Sequence, residues 1–240
     1  MNKISIIIPV LDEVESIENL LNHLLENSSK ENITELIVVD GGSTDGSQNI
    51  VNSFFQKHSN LHLEKNFLLI ESSKGRAKQM NTGSEFATGT ILYFLHADSF
   101  PPKNFDEHII NEVEKDNLAG CFRMQFKHNH WWLQLASWLT QFHWRACRGG
   151  DQSQFITNTL FEDIGGFDKN YTIYEDNILI NELYKRKQFT VINERLVTSA
   201  RRYEKHGIWK LQYHFWAIYV RKWFGASAEE LHAYYKRHIA

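Results

Sequence analysis

The sequence predicts an α/β fold with a mostly parallel central sheet flanked by helices, and three observations carry that reading. Short β-branched, uncharged runs, at residues 4–10, 36–39, 68–70 and 91–95, alternate with segments whose apolar residues recur at helical spacing. Such alternation implies right-handed βαβ units. Two of the runs empty into acidic loops, Asp40-Gly41-Gly42-Ser43-Thr44-Asp45 and His96-Ala97-Asp98. The carboxyl ends of strands are where open α/β sheets bind ligands.

Taken in order, residues 4–10 form a first strand. Val14, Ile17, Leu20, Leu21, Leu24 and Leu25 mark a first helix, with Asp12 and Glu15 placed as a capping box. The 36–39 strand is followed by a helix capped by Asp45 and buried through Ile50, Val51, Phe54 and Phe55. A strand at 68–70, a helix at 76–87 and a strand at 91–95 complete the regular part. Beyond residue 100 the alternation loosens. Pro101-Pro102 ends a loop, residues 104–115 read as a helix, 118–126 as a strand and 131–144 as a helix. A glycine loop at 148–152 follows, then a helix at 175–187, a strand at 189–199 and terminal helices at 207–224 and 228–238. No repeat or linker interrupts the chain, so residues 1–240 read as one domain: a nucleotide-binding half to residue 100, an acceptor half over 101–205 and aromatic helices from 206.

Composition narrows the function. With 240 residues and 42% hydrophobic content the chain can bury a sizeable core. A net charge of −3 disfavours a nucleic-acid binder. Cys121 and Cys147 form neither a CxxC pair nor a disulfide framework, so a reducing cytoplasm is expected. The opening apolar run is too short for a signal peptide, and no stretch is long and apolar enough to span a bilayer.

The candidate chemistry lies in six places. Asp40, at the last position of its strand, suits a base or ribose, although turn chemistry explains the loop equally well. His96 and Asp98, two apart, would converge on one site if extended. A carboxylate suits a divalent ion bridging a diphosphate, and a histidine favours manganese over magnesium. Arg76, in the cationic stretch 74–78, could meet phosphate at a helix start, or be part of a solvated face. Glu175-Asp176 opens a helix, either as a dipole complement or as a general base. Arg201 and Arg202 could neutralise a leaving diphosphate or form surface ion pairs. The loop Gly150-Asp151-Gln152 is read as an acceptor contact, with a plain glycine turn as the alternative.

In order, Ile6-Ile7-Ile8-Pro9-Val10, Val38-Val39-Asp40-Gly41-Gly42-Ser43-Thr44-Asp45, Asn81-Thr82-Gly83, His96-Ala97-Asp98, Gly165-Gly166-Phe167 and Glu175-Asp176 resemble the family 2 inverting glycosyltransferases with the GT-A fold, across the whole chain. The stretch 75–81, the Leu95-His96-Ala97-Asp98 strand end, Gly149-Gly150-Asp151-Gln152 and Ser199-Ala200-Arg201-Arg202 are similar to a subgroup of short bacterial proteins, the selenodomain-associated transferases. The resemblance implies a nucleotide-diphosphate sugar donor lined by Pro9, Glu13, Asp40, Arg76, Asn81, His96, Ala97 and Asp98. It implies a divalent cation, Mn2+ or Mg2+, held at Asp98 with His96, Asp176 as catalytic base beside Glu175, and Arg201 or Arg202 on the departing diphosphate. The sequence departs from the family's DxD motif at His96. The Gln/Arg-x-x-Arg-Trp motif of processive members is absent, with Ser199-Ala200-Arg201-Arg202-Tyr203 roughly in its place. Two other readings stay open: a nucleotidyltransferase, which would need a lysine-bearing glycine loop where Pro9-Val10-Leu11-Asp12-Glu13 stands, and a non-catalytic nucleotide-sugar binder.

All seven tryptophans fall in two segments. Trp131, Leu135, Trp138 and Phe142 share one helical face, and Trp209, Tyr213, Trp216, Val220 and Trp223 another. Packing onto the core or a homodimer is the commoner fate of such stripes. A peripheral membrane contact or a lipid-linked acceptor is the second expectation.

Overall fold

The computed structural model describes residues 2–58, 67–149 and 152–239. One eight-stranded sheet runs through it in the order β3-β2-β1-β4-β7-β6-β8-β5. The first four positions are parallel. β1 (Ile4–Val10) lies between β2 (Ile33–Asp40) and β4 (Ile91–Phe94), and β3 (Phe67–Glu71) covers β2. Val10 stands opposite Asp40, and Ile7 opposite Phe94. The register therefore brings the loops after β1, β2 and β4 to one edge, which becomes the floor of a cleft.

Beyond β4 the direction changes, so the sheet is mixed. β7 (Gln154–Thr157) is antiparallel to both β4 and β6 (Ala119–Phe126). β6 runs parallel to β8 (Thr190–Thr198), and the two-residue β5 (Ser99–Phe100) closes the edge antiparallel to β8. Neither β5 nor β7 is expected from the sequence, because Ser99-Phe100 is too short to carry a pattern and Gln154-Phe155-Ile156-Thr157 has only two apolar residues between polar ends.

Every residue of β1 is buried because both faces of the sheet are covered, so its apolar run is continuous rather than alternating. On one face Ile4, Ile6 and Ile8 pack against α1 (Ile17–Asn27), α2 (Ser47–His58) and α4 (Phe105–Glu114). On the other, Ile7, Ile37 and Val39 pack against α3 (Arg76–Phe86), α6 (Asn158–Ile164) and α7 (Glu175–Lys185). A third cluster seats α8 (Arg201–His206), α9 (Ile208–Trp223) and α10 (Ala228–His238) on the end of β6 and on α5 (Trp131–Leu139). Among the described residues no helix is long and apolar enough to cross a membrane.

Local chemistry moves several boundaries. The Asp12–Glu15 capping box does not form. α1 starts only at Ile17, and Asp12 instead accepts from the Thr44 backbone N–H at 2.8 Å. The loop after β2 offers Asp12 a donor that α1 does not. Asp45 lies one residue before the N-cap of α2, because the Gly46 carbonyl accepts the first helical bond, yet it still accepts from the Ser47 N–H at 2.9 Å, and its second oxygen accepts from Val14 N–H across the loop. α5 ends at Leu139 rather than 144, because the Thr140 hydroxyl binds the Ser137 carbonyl and accepts from Met124 N–H.

Candidate active site

The cleft occupies about 490 Å³ above the carboxyl ends of β1 and β4. Pro9 and Glu13 come from the end of β1 and the loop after it, Arg76 from the start of α3, His96, Ala97 and Asp98 from the turn after β4, and Arg201 and Arg202 from α8. Eight of the donor-side residues expected from the sequence thus share one wall system. They do so for a different reason from the one expected. Residues 96–99 form a turn closed by Ser99 N–H donating to the His96 carbonyl at 3.1 Å, not an extended segment. The turn, rather than strand alternation, brings His96 and Asp98 to the cleft.

Charge is tightly organised there. Arg201 ion-pairs with Glu13 and lies 3.7 Å from Asp98. Burial pushes the Asp98 carboxyl up, Arg201 pulls it down, and Glu13 adds to the rise. Arg202 donates to the Tyr235 hydroxyl at 2.7 Å and lies over the rings of Phe215 and Tyr235.

A second chamber of about 190 Å³ adjoins the first and shares Arg76, Ile173, Arg202, Tyr203, Phe215 and Tyr235 with it. Glu175 and Asp176 stand in its wall with Tyr174 and Tyr219. Tyr174 takes a left-handed backbone conformation (φ 73°), uncommon for a tyrosine, directly before the acidic pair. Arg76 binds both acids, with Nε 3.2 Å from Glu175 and Nη1 3.8 Å from Asp176. Glu175 is 1% exposed, and neither of its oxygens has a hydrogen-bond partner, so the Arg76 charge is its principal compensation. Burial raises its carboxyl above the ordinary range, with Arg76 opposing. A buried, poorly satisfied carboxylate beside an ion pair in a cleft is costly, which makes Glu175 and its neighbour candidates for a functional position.

Three expected contacts are not in either wall. Asp40 is buried, and one of its oxygens accepts from Gly42 N–H, Ser43 N–H and Gln48. These bonds hold the carboxyl below the ordinary range although burial opposes them. Asp40 shapes the loop after β2, and its other oxygen is buried without a partner. Asn81 is also structural. Its amide exchanges two hydrogen bonds with the Phe167 backbone, at 2.8 and 2.9 Å, tying α3 to the loop before α7. Gln152 is buried against Cys121, and Gly150 and Asp151 lie outside the described residues.

Residues missed at the sequence level hold the chamber together. Gln79 donates to the carbonyls of Val10 and Val39, both at 2.8 Å, and so pins two strand ends under the cleft. Arg145 bonds Asn177 and Asn181 of α7, and Arg148, 2% exposed, donates to the carbonyls of Thr140 and Phe142. No local pattern marks Gln79 or Arg145, because their partners lie more than thirty residues away, and Arg148 reaches carbonyls six and eight residues back across an irregular loop.

The model of the family described as "Glycosyl transferase family 2" matches residues 5–224. The chain belongs to glycosyl transferase family 2. Among curated proteins, this family 2 chain is 33% identical over 110 residues to the glycosyltransferase AglE of Haloferax volcanii, a match covering 46% of this chain and 35% of that protein. Among solved structures, the mannosyltransferase PcManGT of Pyrobaculum calidifontis, in complex with GDP-Man and Mn2+, aligns with a TM-score of 0.64 at 21% identity, covering 90% of this chain and 60% of that one. TarS of S. aureus, in complex with UDP-GlcNAc, aligns at 0.66 and 19% identity, covering 82% and 58%. These likenesses show the GT-A fold. The chain spans about a third of the curated relative and about three fifths of the solved ones.

Proposed function

We propose that this chain is an inverting glycosyltransferase that moves a sugar from a nucleotide-diphosphate donor to an acceptor hydroxyl. The observation that carries the reading is the meeting of two compartments at Arg76. A cleft containing Asp98, Arg201 and Arg202 lies on one side, and a chamber walled by Asp176 on the other. The solved neighbours named above bind GDP-Man and UDP-GlcNAc, which supports a nucleotide sugar in the cleft.

In this reading the acceptor sits in the chamber. Asp176 takes the hydroxyl proton as the acceptor oxygen bonds to the anomeric carbon. The bond from that carbon to the diphosphate breaks on the opposite face, and its electron pair leaves with the diphosphate, so the configuration inverts. Arg76 holds Asp176 in place, and Arg201 and Arg202 lie where negative charge collects. Among the described residues no three His, Cys, Asp or Glu side chains converge to hold a metal by themselves. The donor set fits an ion that arrives with the diphosphate, since such ions take one or two carboxylates and fill the rest with phosphate and water. Asp98, with His96 beside it, would hold that ion, which would supply positive charge to the leaving group.

The test is calorimetry of nucleoside diphosphates with and without Mn2+ or Mg2+, followed by transfer assays with the matching sugars. Asp176→Asn is expected to cut transfer by roughly 10²–10⁴-fold while leaving diphosphate binding intact. Asp98→Ala is expected to abolish the metal-dependent part of binding. Binding without transfer under any condition would leave a nucleotide-sugar binder instead.

A further inference from the structure

The aromatic helices carry more exposed apolar surface than a solvated face needs. Trp131, Trp209 and Trp216 are about half exposed or more, and Trp223 and Phe224 are 86% and 84% exposed. The first three form one patch, because Trp209 meets Trp131 and Trp132 at 5.7 and 5.5 Å and Trp132 meets Trp216 at 5.7 Å. A contiguous exposed patch of this kind marks an interaction surface.

Charge says what covers it. Residues 127–149 and 205–228, which supply all these aromatics, contain seven lysines and arginines and no aspartate or glutamate. Arg148 is buried and Arg145 is bonded to Asn177 and Asn181, which leaves Lys127, Lys205, Lys210, Arg221 and Lys222 as the cations these segments carry nearer solvent. The rest of the chain holds nineteen lysines and arginines against twenty-nine acids, so its net charge is −10 where these segments carry +7. Beside Phe224, the groove between α9 and α10 is lined by Arg221 and Arg237 with one acid, Glu230, so it too is net positive. A second copy of the chain docking through the same face would set cations against cations. Tryptophans with lysine and arginine at their flanks match the boundary of an anionic bilayer, where the rings sit at headgroup depth.

We propose that α5 and α9 dock this protein on an anionic lipid surface. The opposite side of α9, through Phe215, Ile218 and Tyr219, lines the chamber that holds Asp176. Docking therefore places the chamber beside the headgroups, and the acceptor is a membrane-borne hydroxyl. That last step rests on the transferase reading.

The experiment is co-sedimentation of the full chain with vesicles of phosphatidylcholine alone or mixed with phosphatidylglycerol, without donor, followed by tryptophan fluorescence. Binding to the anionic vesicles, with a blue shift and weakening at high salt, is expected. Trp223→Ser with Phe224→Ser should abolish it. Lys205→Glu and Lys210→Glu, both at exposed positions, should each weaken it about tenfold. Asp176→Asn should bind like the wild type. Circular dichroism confirms that each variant is folded. Equal binding to neutral vesicles, no binding, or wild-type binding by the serine variant would overturn the proposal. So would self-association that the serine variant dissolves. Diphosphate calorimetry on the same preparations separates the two readings. Lost docking with intact donor binding removes only the membrane surface, and the converse removes only the transferase.

Discussion

Glu175 is the residue whose state most affects this site. It is buried, its oxygens lack hydrogen-bond partners, and Arg76 only partly offsets the cost of its charge. Because burial raises its folded pKa, the ionised form destabilises the fold. The folded state holds the proton over a pH range where the unfolded chain has released it. The penalty therefore grows as pH rises from the unfolded value of about 4.5 and is complete above the folded value. Glu175→Gln is expected to raise Tm at neutral pH, with the gain disappearing as pH falls toward 4.5; thermal melts across that range check it. Arg76, a third exposed and still near Asp176, would not be stranded.

At the scale of elements, α3 does the positioning. Its first residue, Arg76, reaches the acidic pair, Gln79 pins β1 and β2, and Asn81 ties it to the segment leading into α7. All three require α3 to lie close to the sheet, and Gly83 permits this. A Cβ at that position would stand 2.5 Å from Ile7 and 3.0 Å from Val39, both fixed in central strands. Gly83→Ala would gain about 1 kcal/mol of helix propensity. Against that stands an overpacking cost of roughly 1–3 kcal/mol, raised here because β-branched strand residues cannot turn aside. Net destabilisation in urea unfolding is the expected result, accompanied by weaker diphosphate binding as Arg76 moves with its helix.

Over the whole molecule, the boundary near residue 100 expected from the sequence does not separate folding units. β4 pairs with β1 on one side and β7 on the other, and all four of its residues are buried. A fragment of residues 1–100 would expose that edge and lose the cover of α6 and α7 over Ile7, Ile37 and Val39. It is expected to aggregate or to lack a cooperative transition by calorimetry, since an uncovered apolar edge strand is a template for association. A monomeric fragment with a sharp transition would show that the first half folds alone.

The parallel half of the sheet was legible in the sequence, and eight of the residues it singles out line one cleft at that sheet's carboxyl edge. β-branched runs, helical spacing and acidic strand ends are local signals, and burial on both faces of β1 reinforces them. The resemblance to family 2 at Asp98 and Glu175-Asp176 came from the same ordered motifs. Contacts between distant segments were not legible. Asp40 and Asn81 look like ligand contacts by type, yet the fold engages Asp40 in its own loop and Asn81 against Phe167. The same holds for the reversal at β7, the turn that turns His96 and Asp98 to one cleft, and the Arg76 link to residues a hundred positions away. Local preference sets which elements form, whereas side-chain partners are chosen by the packing of the whole chain, and only the tertiary structure records that choice.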